Sequence, residues 1–347
     1  MLEIDGSHGE GGGQLVRLAA ALSAISAIPI RVSRVRAGRE KPGLAAQHLA
    51  ALHALAALSG ARAEGLELKS QEFSLVPGAP GGDRQRCDVG TAGSVTLVLQ
   101  ALLPVMLARG TACAVTVTGG TDVRAAPPLD YLGAVLLPLL ERMQARVNFS
   151  VRRRGYFPHG GGEVEIAVQP GALRPFLAPQ QGALGALAGV AHVANLPEQI
   201  AARMRAAALE RLGERLRGVA GIRSAVLGAD AASGQGGAIV VWACTRHTVL
   251  GAGRVAERGV RAESLGEAVG EELAADLASG ATLDVHAADQ MLVYLALARG
   301  GAFTVRRVTR HAETAMWLIE QFLPVRFATS VVGPLTRVEV LANQSGR

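Results

Sequence analysis

Aromatic residues are scarce in this chain, at 3% of 347 residues, so its core cannot rest on aromatic anchors. Cysteines number three, Cys87, Cys113 and Cys244, and no two form a C-x-x-C pair. That excludes a zinc ribbon and a disulfide framework, and such sparse usage fits a reducing compartment. Lysine is almost absent: Lys41 and Lys69 are the only two, and neither stands in the K-x-D-G setting of a lysine nucleotidyl nucleophile. No run reaches the ~18 uncharged apolar residues of a membrane-spanning helix. The nearest, Val95 to Ala108, is short and carries Gln100. The first residues include Glu3, Asp5 and Glu10 and no basic stretch, so no signal peptide is expected and the cytoplasm is the expected location.

Against these absences stand 49% hydrophobic residues, chiefly alanine, leucine and valine, together with 43 glycines. This composition suits many small helix–sheet contacts. The net charge of +6 is carried almost wholly by arginine, whose planar fork suits phosphate, although arginine bias outside motifs has other sources.

One rhythm recurs along the chain: a strand, a glycine-rich turn, then an Ala/Leu-rich helix. Residues 2–5 lead through Gly9–Gly13 into a helix over about 14–27, and residues 84–89 lead through 90–94 into a helix over about 94–108. Apolar spacing predicts further helices at 44–59 and 128–145, with strands at 65–69, 72–76, 113–118, 147–153 and 163–168. A partial third copy is expected from helix 285–299 onward, with strand 302–306, helix 312–322 and strands 325–331 and 335–341. The texture changes over 181–277, which reads as an inserted α/β unit with helices at 197–217 and 264–279. The expected class is α/β (α+β). Residues 1–180 with 278–347 form a large body of β-α-β-α-β-β repeats, and 181–277 form the smaller insertion.

Several segments could carry chemistry. Gly9-Glu10-Gly11-Gly12-Gly13 precedes a helix, so free N–H groups and the positive helix end can receive a phosphate. It lacks the Lys-Ser/Thr of a P-loop and the spacing of a dinucleotide fingerprint. A carboxylate inside such a loop makes sense if a divalent metal lies between Glu10 and the phosphate. Arg36, Arg39 and Lys41 surround a Gly/Pro turn, with Gln47 and His48 one turn into the next helix, a set able to grip a terminal phosphate. The turn 90–94 resembles those of enolpyruvyl transferases and speaks to fold more than to reaction. His311 sits where a strand hands over to a helix. With lysine so scarce, a neutral imidazole is the best nucleophile available for any covalent nucleotide intermediate. The most distinctive stretch, Arg154-Gly155-Tyr156-Phe157-Pro158-His159-Gly160-Gly161-Gly162-Glu163-Val164, reads as a glycine-lined hairpin between two strands. Nothing in it requires His159 to be catalytic.

Seven ordered blocks resemble the RNA 3'-terminal phosphate cyclases: 5–17, 36–49, 90–100, 119–131, 154–164, 286–290 and 310–327. The resemblance implies three repeats with a small domain inserted before the third. It also implies ATP-dependent conversion of an RNA 3'-phosphate end to a 2',3'-cyclic phosphate. AMP would pass first to His311 and then to the RNA 3'-phosphate, giving an RNA(3')pp(5')A end that the 2'-hydroxyl closes. Glu10 matches the family's metal-associated glutamate, with Mg²⁺ or Mn²⁺ as the cation. Gln100, His286, Ala287, Ala288, Asp289 and Gln290 match positions around ATP. Arg17, Arg36, Arg39, Gln47 and His48 are the candidates for holding the RNA terminus. Two departures stand out: Ala315 replaces the asparagine that commonly follows the threonine of the nucleophile segment, and the turn at 233–237 lacks the usual proline. The alternative is a non-catalytic RNA- or ribosome-assembly factor on the same fold; the presence of His311 favours the cyclase. The oligomeric state is left open, a homodimer included.

Overall fold

The computed structural model of the chain describes residues 1–90 and 92–343, without the side chain of Arg215. Thr91, in the expected 90–94 turn, lies outside the described residues.

The first copy runs β1 (Leu2–Asp5), helix Gly13–Ser26, β2 (Ile30–Ser33), helix Ala46–Ser59, β3 (Arg62–Glu64), β4 (Phe73–Val76). Its sheet has the order β1-β2-β4-β3, with β1 and β2 parallel and the other pairs antiparallel. The second copy repeats this: β5 (Arg84–Asp88), helix Val95–Ala108, β6 (Cys113–Gly119), a helical stretch over 129–142, β7 (Val147–Gly155), β8 (Gly162–Val168). Its order, β5-β6-β8-β7, is the same, extended at β7 by a short strand from further along the chain. Strict alternation of buried and half-buried residues along β6 and β8 is what a sheet covered on one face requires.

The third copy begins with β9 (Phe176–Leu177), and the chain then leaves it. It forms β10 (Leu184–Ala194), helix Glu198–Arg217, β11 (Ala220–Leu227), β12 (Ala232–Ser233), β13 (Gly236–Thr245), β14 (Val249–Val255) and helix Ala262–Ser279. Four of these strands make a separate sheet, β11-β10-β13-β14, while β12 is the extension beside β7. The two helices close a core of their own around Leu187, Met204, Ile239, Val241 and Val269. The chain returns through helix Val285–Leu297, β15 (Gly301–Val305), helix Arg310–Phe322, β16 (Val325–Val332) and β17 (Leu335–Ala342). The order β9-β15-β17-β16 completes the third sheet in the same topology.

The insertion therefore interrupts the third copy between its first strand and first helix, whereas the sequence suggested that it precedes that copy. A strand of two residues has no periodicity to read. The strand expected at 65–69 is also displaced: β3 ends at Glu64, and Gly65 turns left-handed at φ +73 because a Cβ there would sit 2.5 Å from the Glu72 carbonyl oxygen. The strands β2, β11 and β14 are further elements that apolar spacing did not reveal.

Helices from all three copies meet in one core. Leu15, Leu22, Leu99, Met106, Leu292 and Leu318 are buried there, so small aliphatics fill the centre as the composition requires. Among the described residues no helix is long and apolar enough to cross a membrane.

Candidate active site

The site forms where the first and third copies bring their helix starts together. After β1, Gly9 and Gly11 take left-handed φ values of +58 and +61, and the chain enters the helix at Gly13. Gly12 stands at its N-cap with no side-chain hydrogen bond, so among the described residues nothing caps the first N–H groups, and they can receive an anion. The glycines are dictated by crowding. A Cβ on Gly12 would lie 2.2 Å from Glu10 Oε1, and one on Gly13 would lie 2.2 Å from His48 Nε2.

Glu10 is held from three sides. Its backbone N–H donates to Thr314 Oγ1 at 2.9 Å, its Oε1 is ion-paired with Arg39, and its Oε2 lies 3.7 Å from His311 Nδ1. Oε2 is buried and accepts no hydrogen bond among the described residues. His311 is the second residue of helix Arg310–Phe322, whose cap Thr309 accepts from the Ala312 N–H at 3.0 Å. The same hydroxyl donates to Asp289 Oδ1 at 2.6 Å, tying the two helices of the third copy together. Stacking of His8 on Trp317, with centroids 3.7 Å apart, fixes the glycine loop to that helix.

The electrostatics favour a neutral imidazole. Burial lowers the His311 pKa; Asp289 opposes this, while Arg39, Arg17 and His286 add to it. Burial pushes Asp289 up to about 6 against the pull of Thr309 and His311. His48 is driven down to about 3 by burial and then by Arg17 and Arg36; its Nδ1 accepts from the Ala45 N–H at 3.1 Å, so Nε2 carries the proton. Arg17 is buried, which lowers its pKa to about 10, and it makes no ion pair or hydrogen bond among the described residues. A buried, unpaired guanidinium is stabilised by a bound anion.

Behind His311 lies a cavity of about 50 Å³, lined by Arg17, Gln100, Asp289, Gln290, Tyr294 and Ala315 among others. Gln100 Nε2 donates to Gln290 Oε1 at 2.8 Å, and Gln290 Nε2 to the His286 carbonyl at 3.0 Å. Ala287 and Ala288 are buried, and their N–H groups are taken by Asp284, which leaves them a shaping role at this helix start. Arg36 turns back on its own loop, donating to the Gly43 carbonyl at 2.7 Å. Gln47 is half-buried on the adjoining helix. The glycine block 154–164 is the expected hairpin, but its contacts run to Asp122, Asp130 and the inserted unit, and His159 is exposed at its turn. Sequence reasoning did not single out Thr309 and Thr314; a threonine just before the helix was the available cue for the first.

For a divalent cation, Glu10 Oε2 is a fitting ligand because it is buried and unpartnered. Among the described residues no group of three or more His, Cys, Asp or Glu is placed to hold a metal ion, so phosphate oxygens and water would complete the shell.

The fold and site together define a repeat-built α/β protein with an anion-receptive cleft that presents a neutral histidine. The family model described as RNA 3'-terminal phosphate cyclase matches residues 8–329. A protein named RNA 3'-terminal phosphate cyclase from Nitrosospira multiformis is 51% identical over 348 residues, covering 100% of this chain and 98% of its own length. One of the same name from Thermococcus onnurineus is 41% identical over 98% of this chain and 99% of its own, and one from Ignicoccus hospitalis is 40% identical over 93% of each. The chain belongs to the RNA 3'-terminal phosphate cyclase family and is an enzyme of that family. A solved enolpyruvyl transferase, NikO from Streptomyces tendae, aligns at 10% identity over 98% of this chain and 48% of its own with a TM-score of 0.38, too low to carry an argument.

Proposed function

We propose that this enzyme uses ATP to convert RNA 3'-phosphate ends to 2',3'-cyclic phosphates, with AMP carried in between on His311. The observation that supports it most is the grouping of a neutral, half-exposed His311 with the unpaired Arg17 and the unpartnered Glu10 Oε2. With the imidazole proton on Nδ1, which faces Glu10, Nε2 holds the lone pair and makes no hydrogen bond among the described residues. Nε2 attacks the α-phosphorus of ATP, the N–P bond forms, and the bond to the β-phosphate breaks to release pyrophosphate. Arg17, Arg39 and the free N–H groups at Gly12–Gly13 neutralise the charge that develops. A divalent cation at Glu10 Oε2 would supply further neutralisation of the phosphates.

An oxygen of the RNA 3'-phosphate then attacks the same phosphorus and Nε2 leaves, giving RNA(3')pp(5')A. The 2'-hydroxyl attacks the 3'-phosphorus next and AMP departs. This step is intramolecular, so positioning suffices for it. His48, buried and held by Ala45, presents its Nε2–H beside Gly13, where it can donate to the RNA terminal phosphate. Residues 1–180 and 278–347 make the catalytic body in this reading, and 181–277 the inserted domain.

The test is end conversion. The enzyme, ATP and Mg²⁺ or Mn²⁺ are incubated with an RNA bearing a labelled 3'-phosphate. The reading predicts a terminal phosphate that becomes resistant to phosphatase, with AMP released in equal amount. Binding of the RNA with its end left unchanged would instead indicate a non-catalytic RNA-binding protein on this fold.

A further inference from the structure

The first turn of the helical stretch over 129–142 carries two adjacent polar residues that point into different buried junctions. Asp130 takes part in the junction built by the glycine block. Arg154 bridges Asp122 Oδ2 at 3.0 Å and Asp130 Oδ1 at 2.6 Å, and His192 of β10 lies between the same two carboxylates, at 3.7 and 3.4 Å. His192 also hydrogen-bonds the Tyr156 hydroxyl at 2.9 Å. The backbone of the block pairs with β12, and Gly236 admits the Tyr156 ring so closely that a Cβ would sit 2.1 Å from it. The block is therefore the socket in which the inserted unit is seated.

Tyr131 occupies the other junction. Its hydroxyl donates to Asp284 Oδ1 at 2.6 Å, and both residues are buried. The same oxygen accepts from the N–H groups of His286 at 3.0 Å and Ala287 at 2.9 Å, while Oδ2 accepts from Gly251 N–H of β14 at 3.0 Å. An ordinary helix cap needs one acceptor oxygen. Here both oxygens of one carboxylate are used, and they join the second copy, the inserted unit and the third copy at a single point. The helix so fixed carries Asp289 and Gln290 about 7.5 and about 9 Å further along its axis. Those two residues hold the Thr309 cap of the His311 helix and Gln100 respectively.

We propose that Tyr131 and Asp284 are positioning residues for nucleotidyl transfer, through which the second copy and the inserted unit set Asp289 and Gln290 against His311. This inference rests on the nucleotidyl-transfer reading above. Neither side chain lines the cavity beside Asp289 and Gln290, and the Tyr131 ring meets His286 edge-on with centroids 6.5 Å apart, so both act through the placement of this helix start. Losing the Tyr131 hydroxyl removes the tie to the second copy and leaves the ring in place. Small misplacements of reacting groups cost large factors in rate.

The experiment measures transfer of label from α-labelled ATP to the protein in a single turnover, over a range of ATP concentrations, beside thermal melting of each variant. Tyr131→Phe is compared with wild type and with Ile222→Val, a core truncation in the inserted unit that touches neither residue. Tyr131→Phe is expected to lower the maximal labelling rate between about tenfold and a hundredfold, by a larger factor than it raises the half-saturating ATP concentration. Ile222→Val is expected to label at the wild-type rate even where its melting temperature falls as far. Adding Tyr131→Phe to Asp284→Ala should cost little more, because Asp284→Ala already removes the oxygen that the Tyr131 hydroxyl binds; if Asp284→Ala does not fold, Tyr131→Phe alone decides. Labelling of Tyr131→Phe at the wild-type rate, or a loss that follows melting temperature as in the control, overturns this inference alone. A wild type that takes no label overturns the nucleotidyl-transfer reading and this inference with it.

Discussion

Removing Arg154 takes the cation out of the junction between Asp122 and Asp130. Its guanidinium is 14% exposed and binds Asp122, which is fully buried, and Asp130, which is 20% exposed. Burial alone would raise the Asp130 pKa, but the His192 hydrogen bond and the Arg154 charge outweigh it and hold the carboxyl at about 2. Arg154→Ala leaves the buried Asp122 and the half-buried Asp130 without their shared cation, and breaking a buried pair from one side costs about 3–5 kcal/mol. Unfolding entropy of about 2.1 cal/mol/K per residue gives ~0.7 kcal/mol/K for this chain, so the expected fall in Tm is about 4–7 °C. A depressed carboxyl pKa stabilises the fold above its unfolded value of 3.8, and that contribution is lost as pH falls toward about 2. The gap between wild type and variant should therefore be full at neutral pH and narrow between about pH 4 and 2. Thermal or urea melts across that range measure it, and adding Asp130→Asn to Arg154→Ala should return part of the loss. A cost below about 1 kcal/mol, or a gap unchanged across the acid range, would refute the claim that Arg154 neutralises this junction.

Glu10→Gln keeps the shape of the side chain and removes the charge that suits a cation. It should raise the Mg²⁺ or Mn²⁺ concentration for half-maximal activity by about tenfold or more, read by metal titration of end conversion. Gly13→Ala places a Cβ 2.2 Å from His48 Nε2, and His48 is held on its other side by the Ala45 N–H. Its expected result is a folded protein whose KM for RNA 3'-phosphate rises at least about tenfold, which corresponds to ~1.4 kcal/mol; an unchanged KM would remove His48 from the RNA site.

Much of this architecture can be read from local pattern. Alternation along 113–118 and 163–168 and apolar spacing along 95–108 locate real elements, because each has one buried face or is buried throughout. The glycine loop before Gly13 is legible because a turn with two left-handed residues needs glycine. What local pattern cannot supply is proximity. Glu10 and Thr314 stand 304 positions apart and are joined by one hydrogen bond, and no periodicity links them. The two-residue β9 escapes for want of length, which is why the insertion looked as if it came before the third copy. Arg36 and Arg39 look alike in sequence, yet one closes its own turn and the other reaches Glu10. The glycine block shows the same gap: it is the most recognisable segment, and in the structure it seats the inserted unit while His311 lies with the first and third copies.

The central claim is that His311 carries the nucleotide. The enzyme is incubated with α-labelled ATP and Mg²⁺ or Mn²⁺, denatured, and the bound label is challenged with acid and with alkali. A phosphoramidate on His311 predicts label that is lost in acid, kept in alkali, and absent from His311→Ala. Label retained by His311→Ala, or none on the wild type, would contradict the account.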